Sequence, residues 1–260
     1  MSAHPDRCTA CGAPNSSDVD HCEFCGAAIV HGLGGLGLLR AGKPQLDRAF
    51  LEFKKKLRED PDDPDAHFGM AAYYVKRKLH KEAAEHLRKA AEHAPISGEV
   101  QYLQAMNYAL WRGWTNMCVK QHAERAVKLN PKMKEALSLL HIYNGAARSR
   151  SARGEDHLRE ALRTLQKAKE LAVKDHLKHI YFLSAETLER ARQAENAVKM
   201  YRAARDFGLQ EPKVYIRLGL LLKHLGQLKL ARQNLEKAHE LDPSNGAVAR
   251  MLASLKARMG

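Results

Sequence analysis

Residues 64–95 read PDAHFGMAAYYVKRKLHKEAAEHLRKAAEHAP, and their pattern decides the fold. Two short amphipathic helices are predicted here. The first, from about Asp65 to Lys78, places Phe68, Met70, Ala71, Tyr74 and Val75 at helical spacing, and the second, from about Lys81 to His93, gathers Ala83, Ala84, Leu87, Ala90 and Ala91 on one face. Pro95 stops the second helix, because its nitrogen can neither donate nor fit inside another turn. Small residues stand where two helices must approach closely, and larger ones where a gap has to be filled. Such a hairpin leaves outer faces that need neighbours.

The neighbours are in the chain itself. The second-helix signature Ala83, Leu87, Ala90, Pro95 is preceded by Ala49, Phe53, Lys56, Pro61 and followed by Val119, Ala123, Ala126, Pro131. It returns as Ala161, Leu165, Ala168, Val173, as Ala197, Tyr201, Ala204, Leu209 and as Ala231, Leu235, Ala238, Pro243, with a period of about 34 residues wherever no insertion intervenes. First helices keep a matching phase, with Ala71, Ala105, His141, Ala185 and Gly219 at one position and Tyr74, Tyr108, Asn144, Leu188 and Leu222 three residues on. Two stretches break the period. WRGWTNM at 111–117 carries a short insertion, and GAARSRSARGED at 145–156 lengthens the next inter-helix segment, where His141 and Asn144 fall on core positions of a weak unit. Looseness or a longer first helix is expected there. Residues 245–258 hold a first-helix pattern alone (Ala249, Leu252, Ala253, Leu255), which reads as a helix closing the stack.

With small residues, large residues and proline at these places, the chain resembles the tetratricopeptide repeat family over about 46–258, most closely at Leu218-Gly219 with Ala231, Leu235, Ala238 and Pro243. The resemblance implies an all-α protein, a right-handed superhelix of about five stacked hairpins and a capping helix over 45–260. It also implies a concave groove lined by first helices, which would place Phe68, Ala72, Lys76, Tyr102, Met106, Ile142, Phe182, Glu186, Arg190, Ile216, Leu220 and Lys223 toward a partner. Those positions are largely apolar and aromatic, so the expected ligand is an amphipathic helix or extended segment of another protein. The glycine-rich stretch's own leucines are the competing occupant. The paired asparagines with which some members of the family grip a terminal carboxylate are missing.

Ahead of the repeats, CTACGAPNSSDVDHCEFC at 8–25 pairs Cys8-x2-Cys11 with Cys22-x2-Cys25, each knuckle followed by glycine. Four thiolates so spaced suit one tetrahedral structural Zn²⁺ and leave no open position for a catalytic water. The run resembles the short zinc ribbons of bacterial multidomain proteins, so 1–29 is expected to be a zinc-ribbon module whose folding the metal supports. A rubredoxin-like iron site shares the knuckles but needs another enclosing fold. Residues 30–44, VHGLGGLGLLRAGKP, read as a glycine-rich linker, with Leu33, Leu36, Leu38 and Leu39 apolar enough to dock on the first helix or on a partner. No Gly-Lys-Ser/Thr follows it, so a phosphate-binding loop is not indicated.

Lys and Arg number 43 against 30 Asp and Glu, a formal charge of +13 concentrated in the helical part. That excess favours anionic partners in general. Arg148, Arg150, Arg153 and Arg159, with the Trp111/Trp114 turn, give the alternative reading, an RNA- or DNA-binding scaffold. The polar start MSAHPDRC does not read as a secretory signal, and no run approaches the roughly 20 apolar residues of a membrane span. A reducing, cytoplasmic setting is expected, with the cysteines as metal ligands or thiols. The fourteen histidines include no His-Glu-x-x-His, His80, His86 and His93 lack a matching set of carboxylates, and Cys118 stands alone. No catalytic constellation is predicted.

Overall fold

The computed structural model describes Phe24, residues 37–40 and residues 43–257. Among them the regular structure is entirely helical. A one-turn helix α1 (Gly37–Arg40) and α2 (Lys43–Glu59) lead into the hairpin of α3 (Pro64–Lys76) and α4 (His80–His93), followed by that of α5 (Gly98–Arg112) and α6 (Met117–Leu129). After α7 (Lys134–Ser151) and α8 (Glu155–Glu170) come the pairs α9 (Lys174–Arg190) with α10 (Ala194–Asp206) and α11 (Pro212–His224) with α12 (Leu228–Leu241), and last α13 (Gly246–Ala257). The chain forms two compact units, residues 1–143 and 144–260. The predicted zinc-ribbon module lies outside the described residues.

Helix ends follow local chemistry. Asp63 accepts hydrogen bonds from the amides of Asp65 (2.9 Å) and Ala66 (3.1 Å), and Pro64 occupies the first helical position, where no donor is needed. Ser97 and Asn116 cap α5 and α6 in the same manner. The turns within the hairpins α3/α4, α9/α10 and α11/α12 each place one residue in the left-handed region: Lys78 (φ 60°), Arg192 (φ 58°) and Gly226 (φ 74°). The amide after each returns to a carbonyl five residues back, as from Gln193 to Leu188 at 2.9 Å, which closes the helix end.

In both units the core is a seam of small residues. Ala71, Ala83, Ala90, Ala105, Ala123 and Ala126 in the first unit, and Ala161, Ala168, Ala185, Ala197, Ala204, Ala231 and Ala238 in the second, are wholly buried. Closest approach falls on glycines. A Cβ added at Gly69 would stand 2.3 Å from the Phe53 ring, and one at Gly219 would stand 2.7 Å from Leu235 Cγ. Gly145 meets Leu165 on α8 as Gly219 meets Leu235, also at 2.7 Å. The expected phase placed His141 and Asn144 at the core, yet both are only half-buried. The inserted residues have lengthened α7, which runs through Ser151, and shifted its contact with α8 one turn onward to Gly145. Only 152–154 remain as a loop, so of the two outcomes expected here, looseness or a longer first helix, the structure shows the longer helix.

At the leading end, the predicted linker is partly structured. Its last turn, α1, packs on α3, with Leu38 buried. At the other end α13 packs on α12 through Val248, Leu252 and Leu255, whereas Ala249 and Ala253, expected on the buried face, are exposed.

The register of α7 can be measured. Gly145→Val should destabilise the second unit by about 1–3 kcal/mol through overpacking against Leu165, while Asn144→Ala should change stability by less than about 0.5 kcal/mol in urea titrations. The reverse order would restore the phase expected from the repeat pattern.

Candidate binding faces

The first-helix positions proposed as a groove separate into two groups. In the first unit Phe68, Ala72, Tyr102, Met106 and Ile142 are all buried, Phe68 to 1% exposure, and only Lys76 is exposed. These five apolar side chains are buried, and α1, the end of the glycine-rich stretch expected as the competing occupant, packs on α3, the helix that carries Phe68 and Ala72. On α3 the face turned to α2 is given by Gly69 against Phe53 and by Tyr73 against Phe50, with ring centroids 4.3 Å apart; the face turned to α4 is given by His67 and Tyr74 against His86. Phe68 and Ala72 fall on a third face, and α1 and α5 also pack on α3.

Three carboxylates mark a feature that residue-by-residue reading of the groove passed over. Asp65, Glu99 and Glu135 stand at the same place, the first turn of α3, α5 and α7. Burial, then the charges of Glu135 and Asp65, push the Glu99 carboxyl up to about 7. The repeat phase was the signal that could have found them.

In the second unit the groove positions stay at the surface. Phe182, Glu186, Ile216 and Lys223 are half-buried, and Arg190 and Leu220 are exposed. Ion pairs join α9 to α11: Lys213 Nζ lies 2.7 Å from Glu186 and 4.6 Å from the centre of the Phe182 ring, and Arg217 is 3.5 Å from Glu189. The buried Tyr201 hydroxyl donates to Glu189, and burial together with that carboxylate raises its pKa. The face so made is an apolar strip, Phe182, Ile216 and Leu220, edged by charge. Arg190 is turned away from it, donating to the Ser149 and Arg150 carbonyls at the end of α7.

The four arginines proposed for anions are not one basic arm. Arg148 donates to Thr164 Oγ1 at 2.7 Å, and Arg159 pairs with Asp156 at 3.2 Å and Glu155 at 4.0 Å. Arg150 and Arg153 are exposed. Trp111 is half-buried, with the Arg112 guanidinium 4.1 Å from its ring and Tyr108 stacked nearby.

His67 and His86 serve packing. His67 Nε2 lies 2.9 Å from the Pro61 carbonyl and must donate to it, so His67 Nδ1 accepts from His86 Nδ1 at 2.8 Å. Burial lowers both pKa values, that of His86 to about 4, and keeps the pair neutral. His80 bonds Asn107 at 2.8 Å, and His93 lies 3.6 Å from Asp62. Cys118 is a half-buried free thiol. Among the described residues no cluster of three or more His, Cys, Asp or Glu could hold a metal, and no helix is long and apolar enough to cross a membrane. Cys8, Cys11, Cys22 and Cys25 lie outside the described residues.

Residues 38–106 and 212–245 each match a sequence profile of the tetratricopeptide repeat. Solved structures agree on the fold. A chain of the Cut9–Hcn1 hetero-tetramer of the APC/C superposes with a TM-score of 0.62 at 14% identity over 82% of this chain, which spans 40% of that one. A tetratricopeptide repeat protein from Parabacteroides merdae gives 0.55 at 13% identity, covering 82% of this chain and 79% of its own. PilF of Pseudomonas aeruginosa gives 0.54 at 18% identity, covering 85% and 94%. At such identities the likeness concerns fold alone. No curated protein matches significantly. Tetratricopeptide repeats are thus matched at 38–106 and 212–245, within a fold of stacked helical hairpins.

The Glu99 carboxyl should leave a pH signature. It is neutral in the fold up to about pH 7 but ionises from about pH 4.5 once unfolded, so the stability it contributes is full below pH 4.5 and lost as pH rises through 7. Glu99→Gln should therefore melt at the wild-type temperature at pH 4 and above it at pH 8. Equal melting temperatures at both pH values would remove the shift.

Proposed function

We propose that this protein is a non-enzymatic scaffold that holds another protein through its tetratricopeptide repeats. The supporting observation is the α9–α11 face, where Phe182, Ile216 and Leu220 keep apolar surface between charged edges. An apolar helix or extended segment would place its anchors on that strip, and Lys213, Glu186 and Lys223 would fix its direction. Repeat proteins of this kind commonly act by presenting such faces rather than by catalysis. In this reading the first unit stiffens the array and contributes charge, because its apolar groove positions are already packed.

The zinc ribbon is the second contact module of the proposal. Cys8, Cys11, Cys22 and Cys25 would bind one structural Zn²⁺ and hold a small surface at the start of the chain. Metal analysis of the purified protein should give one zinc per chain, lost when Cys22 and Cys25 are both changed to serine. Unchanged zinc content in that variant would remove the ribbon.

The binding face is tested with nuclease-treated lysate and paired baits. A partner captured by the wild type and identified by mass spectrometry should bind Ile216→Asp/Leu220→Asp at least tenfold more weakly when both proteins are purified, with little dependence on salt. Equal affinity would place the contact elsewhere. Loss of all capture on nuclease treatment, with binding that falls steeply as salt rises, would favour the RNA- or DNA-binding alternative through Arg150 and Arg153.

A further inference from the structure

The loop after α7 and the turn after α9 line an open surface pocket of about 380 Å³, apart from the α9–α11 strip. Arg153, Arg190 and Arg192 form its charged wall, with Gly154 and Leu158 beside them. One acid, Glu155, also lines it, but its carboxylate is 4.0 Å from Arg159. Arg190 is held by two backbone carbonyls, which fixes its guanidinium without neutralising it. Arg153 and Arg192 form no ion pair with an acid among the described residues, so the pocket carries an excess of about two positive charges. It also opens on the start of α8, where Gly154 gives no side-chain cap to the first amides.

From these three arginines lining one open pocket we propose that the site binds a compact dianionic phosphate group. Guanidinium forks match phosphate oxygens in pairs, and two excess charges suit a phosphate monoester better than a single carboxylate. A nucleic-acid backbone fits less well. Glu155, Asp156 and Glu160 are exposed on the adjoining turns of α8 and would repel a chain of phosphates running past the pocket. The group is therefore bound as an isolated phosphate, either free or carried on a peptide.

Two substitutions remove the site without an expected cost to the fold. Arg192 has φ 58°, in the turn position that Gly226 fills between α11 and α12, so Arg192→Gly deletes a guanidinium and relieves the backbone. Gly154 is extended (φ −175°, ψ 176°) with open space at its Cβ, so Gly154→Asp supplies the missing cap and sets a carboxylate in the pocket. The experiment is a titration of the ¹⁵N-labelled protein with inorganic phosphate, phosphoserine peptide, the same peptide unphosphorylated and oligouridylate, at constant ionic strength. Saturable shifts of the Arg153, Gly154, Glu155 and Arg192 amides are expected with phosphate or phosphopeptide, weakened at least tenfold in each variant while melting temperatures hold or rise. Response to phosphate alone marks a free anion as the ligand, and a tighter response to the phosphopeptide marks a peptide-borne group. No saturable shift, shifts that persist in both variants, an equal response to the unphosphorylated peptide, or binding of oligouridylate alone would overturn the proposal.

Discussion

Everything in both units depends on how closely two helices can be brought together. Alanine at the crossing points, and glycine where even a methyl group would collide, lets backbones approach until the larger side chains fill the remaining space. Leu235 over Gly219 and Leu165 over Gly145 are the same contact made twice. Each buried leucine loses water from most of its surface, worth about 1.5–3 kcal/mol apiece. That gain requires the small residue opposite. The constraint is steric before it is hydrophobic, and it accounts for a core rich in residues that individually bury little.

The same constraint explains how the array absorbs insertions. Extra residues in α7 cannot displace the glycine from its leucine, so the helix grows until a suitable glycine comes round again, one turn later. His141 is then only half-buried. Extra residues at 111–117 have a milder effect, because the turn there closes on Gly113 (φ 97°) and leaves the pairing of Ala105 with the α6 alanines intact. Contact geometry is kept and chain length gives way.

Much of the fold was legible because steric demands repeat and so leave a periodic trace. The hairpin at 64–95 lies within two residues of its expected ends at α3 and α4. The phase of α7 was not legible, since a period carried across an insertion says nothing about where the next glycine falls. Groove positions were half legible: the pattern gives the face on which Phe68 and Phe182 stand, but not that α1 and α5 crowd the first-unit helix while the second-unit strip stays open. The arginines show the limit most plainly. Arg148 and Arg159 look alike in sequence to Arg153, yet they turn to Thr164 and Asp156, and the pocket is completed by Arg190 and Arg192 from a distant part of the chain.

The last helix has a consequence for assembly. Its inner side is spent on α12, and Arg250, Ser254 and Lys256 are exposed on the remainder. Stacked hairpins could in principle continue from one molecule into the next, as identical layers do in a fibre. Among the described residues that outer face carries no large exposed apolar side chain, so it offers another hairpin little surface to bury.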